Sequence, residues 1–119
     1  MGFFIDLIKQ RKEVERQGGM QVKYSELIQL MLSDDSRMHI IQTSGTMVVI
    51  GASALGGSTV FSLIQTFGKL TVEMKVKSVV FGSIRKEWVF HEFMDQSEMY
   101  QKMCLDIREI GMSKLLNDN

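Results

Sequence analysis

Proline is absent from this chain, cysteine occurs once, and neither sign of charge is in excess. Without proline, breaks between elements have to be read from glycine and short polar residues. The single thiol, Cys104, excludes an internal disulfide and fits a reducing compartment, while leaving a cross-chain bridge open. The 14 basic and 14 acidic residues also balance locally, six against six before Ile40 and eight against eight after Gly68. No basic stripe exists to neutralise phosphates, so nucleic acid is not an expected partner. The opening residues, Met1-Gly2-Phe3-Phe4-Ile5-Asp6, lack the basic region, long apolar run and cleavage site of a secretory leader. Asp6 stands where a myristoylation motif wants Ser or Thr. A cytoplasmic protein is the expectation. Repeats and low-complexity tracts are missing as well. Gly18-Gly19 is the one candidate hinge, setting an N-terminal amphipathic arm (1–19) apart from a single domain (20–119).

Chemical motifs are equally scarce. His39 and His91 fall in separate predicted strands, and neither pairs with Cys104 at metal-ligand spacing. Cys104 lies among Met103, Leu105 and Ile107, which suits a packed thiol better than a nucleophile. Ser44, Ser53 and Ser58 sit near glycines, but no G-x-S-x-G elbow is present. Glu87, His91 and Glu92 are close in sequence, yet Glu87 and His91 on one face of an extended strand are too far apart for a directly bonded acid–base pair, and charged rim residues are the plainer account. No catalytic residue, cofactor or metal site is assigned.

What the chain does have is a 45% hydrophobic composition, ten methionines and 29 consecutive uncharged residues from Ile40 to Gly68. A length of 119 residues suffices for one domain with a real core. Three architectures compete for the uncharged stretch. A membrane span needs ~20 mostly apolar residues, and Thr46 to Phe67 is long enough. Fifteen of the 29 residues are nevertheless Ser, Thr, Gln or Gly, and neither flank carries a charge bias that would orient a span. A membrane location is therefore disfavoured.

The second reading is a phosphate cradle. Met47-Val48-Val49-Ile50 precedes Gly51-Ala52-Ser53-Ala54-Leu55-Gly56-Gly57-Ser58, which resembles a P-loop except that Gly57 replaces the lysine. Ser53 likewise replaces the middle glycine of a dinucleotide fingerprint. A helix beginning at Ser58 would still offer its N-terminus to an anion. Gly51, Ser53, Gly56, Gly57 and Ser58 are thus the candidate ligand-binding residues, with loop-shaping glycines as the plainer account.

The third reading is a hairpin turning at Gly68-Lys69. It places Phe67, Gln65, Leu63 and Phe61 opposite Leu70, Val72, Met74 and Val76, so that seven of eight side chains on one face are apolar. The other face collects Val60, Ser62, Ile64 and Thr66 against Thr71, Glu73, Lys75 and Lys77. One wet face and one dry face is the pattern of a half-buried antiparallel sheet, and this reading is preferred. Were 58–67 helical instead, the element order would resemble roadblock- or profilin-like α+β domains, a likeness of order alone that implies no function.

Around this ribbon the spacing predicts helices over Phe3–Gln17, Tyr24–Leu32 and 96–110, the last opened by the Asp95-Gln96-Ser97-Glu98 capping pattern and closed by Gly111. His39–Ile50 reads as strand with a kink or tight turn at Ser44-Gly45. Residues 79–81 read as extended, Gly82–Lys86 as a turn, and Trp88–Phe93 as the last strand, its register unassigned. The expected fold is α+β, a four-stranded antiparallel sheet over about 38–93 with N-terminal helices and one C-terminal helix on its apolar face. The expected function is a non-enzymatic protein-interaction or assembly module, a homo-oligomer making contacts through Phe3, Phe4, Leu7, Ile8, Met99 and Met103 and through an exposed sheet edge. Binding of a small ligand or anion by the Gly51–Ser58 loop is the alternative.

Overall fold

Alternating side chains decide the central layer. The structure, a computed structural model, describes residues 19–80 and 82–117, with side chains in the last helix as far as Gly111. Five strands run as an antiparallel meander: β1 (His39–Thr43), β2 (Met47–Ala54), β3 (Gly57–Thr66), β4 (Lys69–Ser78) and β5 (Gly82–His91), in spatial order β1-β2-β3-β4-β5. Two short helices, α1 (Met20–Lys23) and α2 (Ser25–Asp34), precede the sheet, and α3 (Gln96–Asn117) follows it. The predicted helix over 3–17, with Phe3, Phe4, Leu7 and Ile8, lies outside the described residues.

The class is α+β, with five strands rather than four. The additional strand comes from Ser44-Gly45, where the chain turns fully instead of kinking; the Ser44 N–H donates to the Met47 carbonyl at 2.8 Å. Residues 58–67 lie almost wholly in β3, so the uncharged stretch forms strands and turns rather than a membrane-spanning helix or a helix with a free N-terminus. No helix among the described residues is long and apolar enough to cross a membrane. The resemblance in element order to roadblock- or profilin-like domains loses its premise with that helix.

The β3–β4 hairpin turns at Phe67-Gly68, one residue earlier than the sequence suggests. Gly68, in the second central position, carries the positive φ of 72°. Leu63 therefore pairs with Val72 and Phe61 with Met74, a two-residue offset from the expected pairing. A two-residue offset preserves the faces. Phe61, Leu63, Gln65, Leu70, Val72 and Met74 are all buried, joined by Val48 and Ile50 from β2 and Trp88 and Phe90 from β5. Phe67 is the exception, 55% exposed in the turn.

At the other end of the sheet, β4 stops at Ser78 and the turn contains exposed Val79 and Val80. Gly82–Lys86, expected as a turn, is the first half of β5. Gly57 is held by close backbone approach: its φ is 147°, and a Cβ there would lie 1.9 Å from the Lys77 carbonyl oxygen. Gly51 makes room for a bulge in β1, where the register shifts between Ile40 and Gln42. The Ile41 Cδ1 lies 2.6 Å from the position of a Gly51 Cβ.

The helices cover the apolar face. Leu27, Ile28 and Met31 of α2 and Met99 and Met103 of α3 are buried against the strands. Asp95 caps α3, its Oδ1 accepting the Ser97 N–H at 3.0 Å. The helix runs through Gly111 instead of ending there. With normal helical backbone available and nothing within 4 Å of an added Cβ, Gly111 is a weak point inside the helix rather than a stop.

The two glycines separate by direction. Gly57→Ala lowers stability by at least about 2 kcal/mol because the backbone itself must move. Gly111→Ala raises it by about 0.5–1 kcal/mol. Urea melts of the two variants beside wild type measure both.

Candidate functional site

The two ends of the apolar face are finished differently. At the β3–β4 turn end, a polar network closes the core. Tyr24 separates α1 from α2 with non-helical torsions (φ −111°, ψ 30°) and is fully buried. Its hydroxyl donates to Gln65 Oε1, while Gln65 Nε2 donates to Glu92 Oε2 at 2.9 Å and to the Thr66 carbonyl at 2.9 Å. Lys23 Nζ reaches the same Glu92 oxygen at 2.8 Å, with side-chain exposures of 9% and 19%. The ammonium also lies 5.7 Å from the Tyr24 and Phe93 ring centroids. Gln96 joins the helices: its Oε1 accepts the Leu27 N–H at 2.9 Å and its Nε2 donates to the Lys23 carbonyl at 2.8 Å. Two orphaned helix-end groups are thereby satisfied from a third helix.

Burial, reinforced by the Glu92 charge, pushes the Tyr24 phenol well up, so it stays a neutral donor. The Lys23 hydrogen bond holds the Glu92 carboxyl below its ordinary range despite partial desolvation. These groups satisfy one another, which is the signature of a structural tie. A second tie joins α3 to β5, where Trp88 Nε1 donates to Asp106 Oδ2 at 2.8 Å and Lys102 pairs with the same carboxylate at 3.2 Å.

At the opposite end the core is open. Beyond the end of α2, a cavity of about 640 Å³ lies between the strands and the second half of α3. Met38, Phe61, Met74, Val76, Ile84, Ile107 and Ile110 are among its walls. A length mismatch explains it. β4 and α2 each have ten residues, but a strand rises ~3.3 Å per residue and a helix ~1.5 Å, leaving about half the strand beyond α2. Met99 and Met103, beside α2, are 0% and 2% exposed, whereas Ile107 and Ile110, further along the same stripe, remain half-buried. Met99 and Met103 are thus core residues, which corrects their expected role as a contact surface.

Of the loop candidates, Ser53, Gly56, Gly57 and Ser58 line this cavity, and Gly51 does not. The loop is a hairpin, Ala54 pairing with Gly57 across Leu55-Gly56. Because strand follows at Gly57, no helix N-terminus faces an anion there, and the phosphate-cradle geometry is overturned. The apolar walls themselves escaped sequence reading, since the same residues would fill a core had α2 been longer.

His39 and His91 lie on opposite edge strands. His39 Nδ1 is 3.0 Å from the Arg37 carbonyl, and His91 Nδ1 accepts the Phe93 N–H at 3.1 Å. Cys104 is half-buried on α3. Among the described residues, no group of three or more His, Cys, Asp or Glu is placed to hold a metal ion.

The second exposed feature is β5, an edge strand of ten residues without a bulge. β1, the other edge, has five residues and the bulge at Ile41, both of which blunt strand pairing. On the face away from the helices, β5 presents Arg85, Glu87 and Val89, the last 54% exposed. Arg85 pairs with Glu73 of β4 at 3.0 Å. Comparison with protein-family models, curated proteins and solved structures finds no match to this chain.

A sign follows for the Glu92 tie. Its carboxyl sits below the ordinary value of 4.5; the contribution is therefore complete above that pH and is lost as pH falls through the depressed folded value. Glu92→Gln is expected to lower stability at pH 7 by about 1–2 kcal/mol. Urea melts from pH 7 downward should show the gap to wild type narrowing with acid.

Proposed function

We propose that this chain is a small, non-enzymatic cytoplasmic module that assembles with copies of itself through the free edge of β5. The observation carrying this reading is the edge itself. Ten residues of regular strand offer backbone donors and acceptors to another strand, with no proline or bulge to interrupt pairing. Exposed Val89 on β5, with Phe67 and Phe93 at the same end of the sheet, supplies apolar area beside it.

Charge supports a copy of the same chain as the partner strand. Two antiparallel β5 strands with Lys86 on the two-fold axis set Arg85 opposite Glu87 in both directions, on the outer face. Opposite charges facing across strands contribute roughly 0.2–1 kcal/mol per pair. Lys86 then meets its own copy on the helix-facing side, a cost softened by its position 5.9 Å over the Trp88 ring. The N-terminal arm, residues 1–19, is assigned to the same assembly from its Phe-rich sequence.

Light-scattering mass of the full chain tests the reading. A dimer is expected, converted to monomer by Glu87→Arg and restored by adding Arg85→Glu, which swaps the pair. Position 87 stands directly opposite Glu73, so in the double variant that carboxylate keeps a cation beside it. A wild-type monomer at high concentration, or a mass indifferent to Glu87→Arg, would sink the edge model. The same measurement without residues 1–19 isolates the arm's share.

A further inference from the structure

The cavity beyond α2 is a separate matter from the β5 edge. We propose that it binds an uncharged hydrophobic small molecule, an aliphatic or aromatic body with at most a hydroxyl or carbonyl at its polar end. Its volume of about 640 Å³ falls within the range of small-molecule sites. Met38, Met74, Val76, Ile84, Ile107 and Ile110 give it walls of aliphatic and thioether groups. The methionines can reshape around a guest, unlike β-branched side chains.

The charges around the mouth decide the class of ligand. Asp35 and Arg37 neutralise each other, Nη2 to Oδ2 at 2.9 Å and Nε to Oδ1 at 3.2 Å. Asp34 adds one carboxylate at the mouth, which repels an anionic head group. Lys77 also borders the cavity, but it alternates with inward-facing Val76, so its ammonium stands on the far face of the sheet. An anionic guest would therefore be desolvated against like charge, and any charged group carried in among the apolar walls would lose water without a partner there, whereas an apolar guest loses only its exposure to water. Thr59 pairs with inward-facing Val76 and also borders the cavity, leaving its hydroxyl for a single hydrogen bond with the guest, while Ser53, Gly57 and Ser58 meet the cavity through their backbone.

The test is a titration of the full chain with the neutral fluorophore N-phenyl-1-naphthylamine. Saturable enhancement at one site per chain is expected. Ala52→Phe, which fills the cavity from β2, and Ile107→Gln, which makes its wall polar, should each weaken binding by about tenfold or more. Far-UV circular dichroism and cooperative melting establish that each variant folds, and either one that does suffices. Displacement by 1-decanol should exceed that by decanoate by about tenfold. No saturable signal from wild type, unchanged affinity in a folded variant, or decanoate matching or outperforming decanol would overturn the proposal. Because neither substitution lies on β5, failure here leaves the edge-pairing result untouched, and the reverse also holds.

Discussion

A ribbon with one apolar face has to be covered, and in this protein the cover is shorter than the ribbon. Strands advance more than twice as far per residue as helices do. Ten residues of α2 therefore shelter only part of what ten residues of β4 present. Where α2 and α3 lie side by side, Leu27, Met31, Met99 and Met103 meet Leu63, Leu70 and Val72 in a closed core. Where α3 continues alone, the same sheet face becomes the wall of a cavity. One geometric shortfall thus separates the stable end of the molecule from the end open to a guest.

The closed end is specified by polar groups as much as by burial. Tyr24, Gln65, Glu92 and Lys23 each complete another's hydrogen bonding, and Gln96 fastens the α1–α2 junction to the start of α3. Such a network adds little net energy beyond what its members lost on leaving water. Its effect is to admit one arrangement, because any other packing of the short helices strands a buried donor or acceptor. The Trp88–Asp106 bond holds the middle of α3 over β5 in the same manner. Beyond that tether, Ile107 and Ile110 border empty space.

Much of the fold was legible because its signals are local. The alternation through Leu70, Val72, Met74 and Val76 marked the dry face, and a register mistaken by two residues still gave the right faces. Asp95 announced the start of α3. The errors share a cause: where to turn is decided by small energy differences among neighbouring residues. Gly82–Lys86 became strand, and Gly111 was absorbed into a helix that packs well enough to carry it. For the candidate site, Ser53, Gly56, Gly57 and Ser58 were singled out as a loop for a small ligand or anion; the hairpin borders the cavity but offers no helix N-terminus. The cavity walls looked like ordinary core, and Met99 and Met103 like surface.

By itself the sequence determined the class, the apolar face of β3 and β4, and the polar or glycine positions where elements end, because side-chain period and capping act within a few residues. Only the tertiary structure decided which apolar residues are covered and which face a void. It also decided which strand is left as an open edge and where the charges on it point. Those outcomes depend on the relative lengths and placement of elements distant along the chain, and no local pattern carries that information.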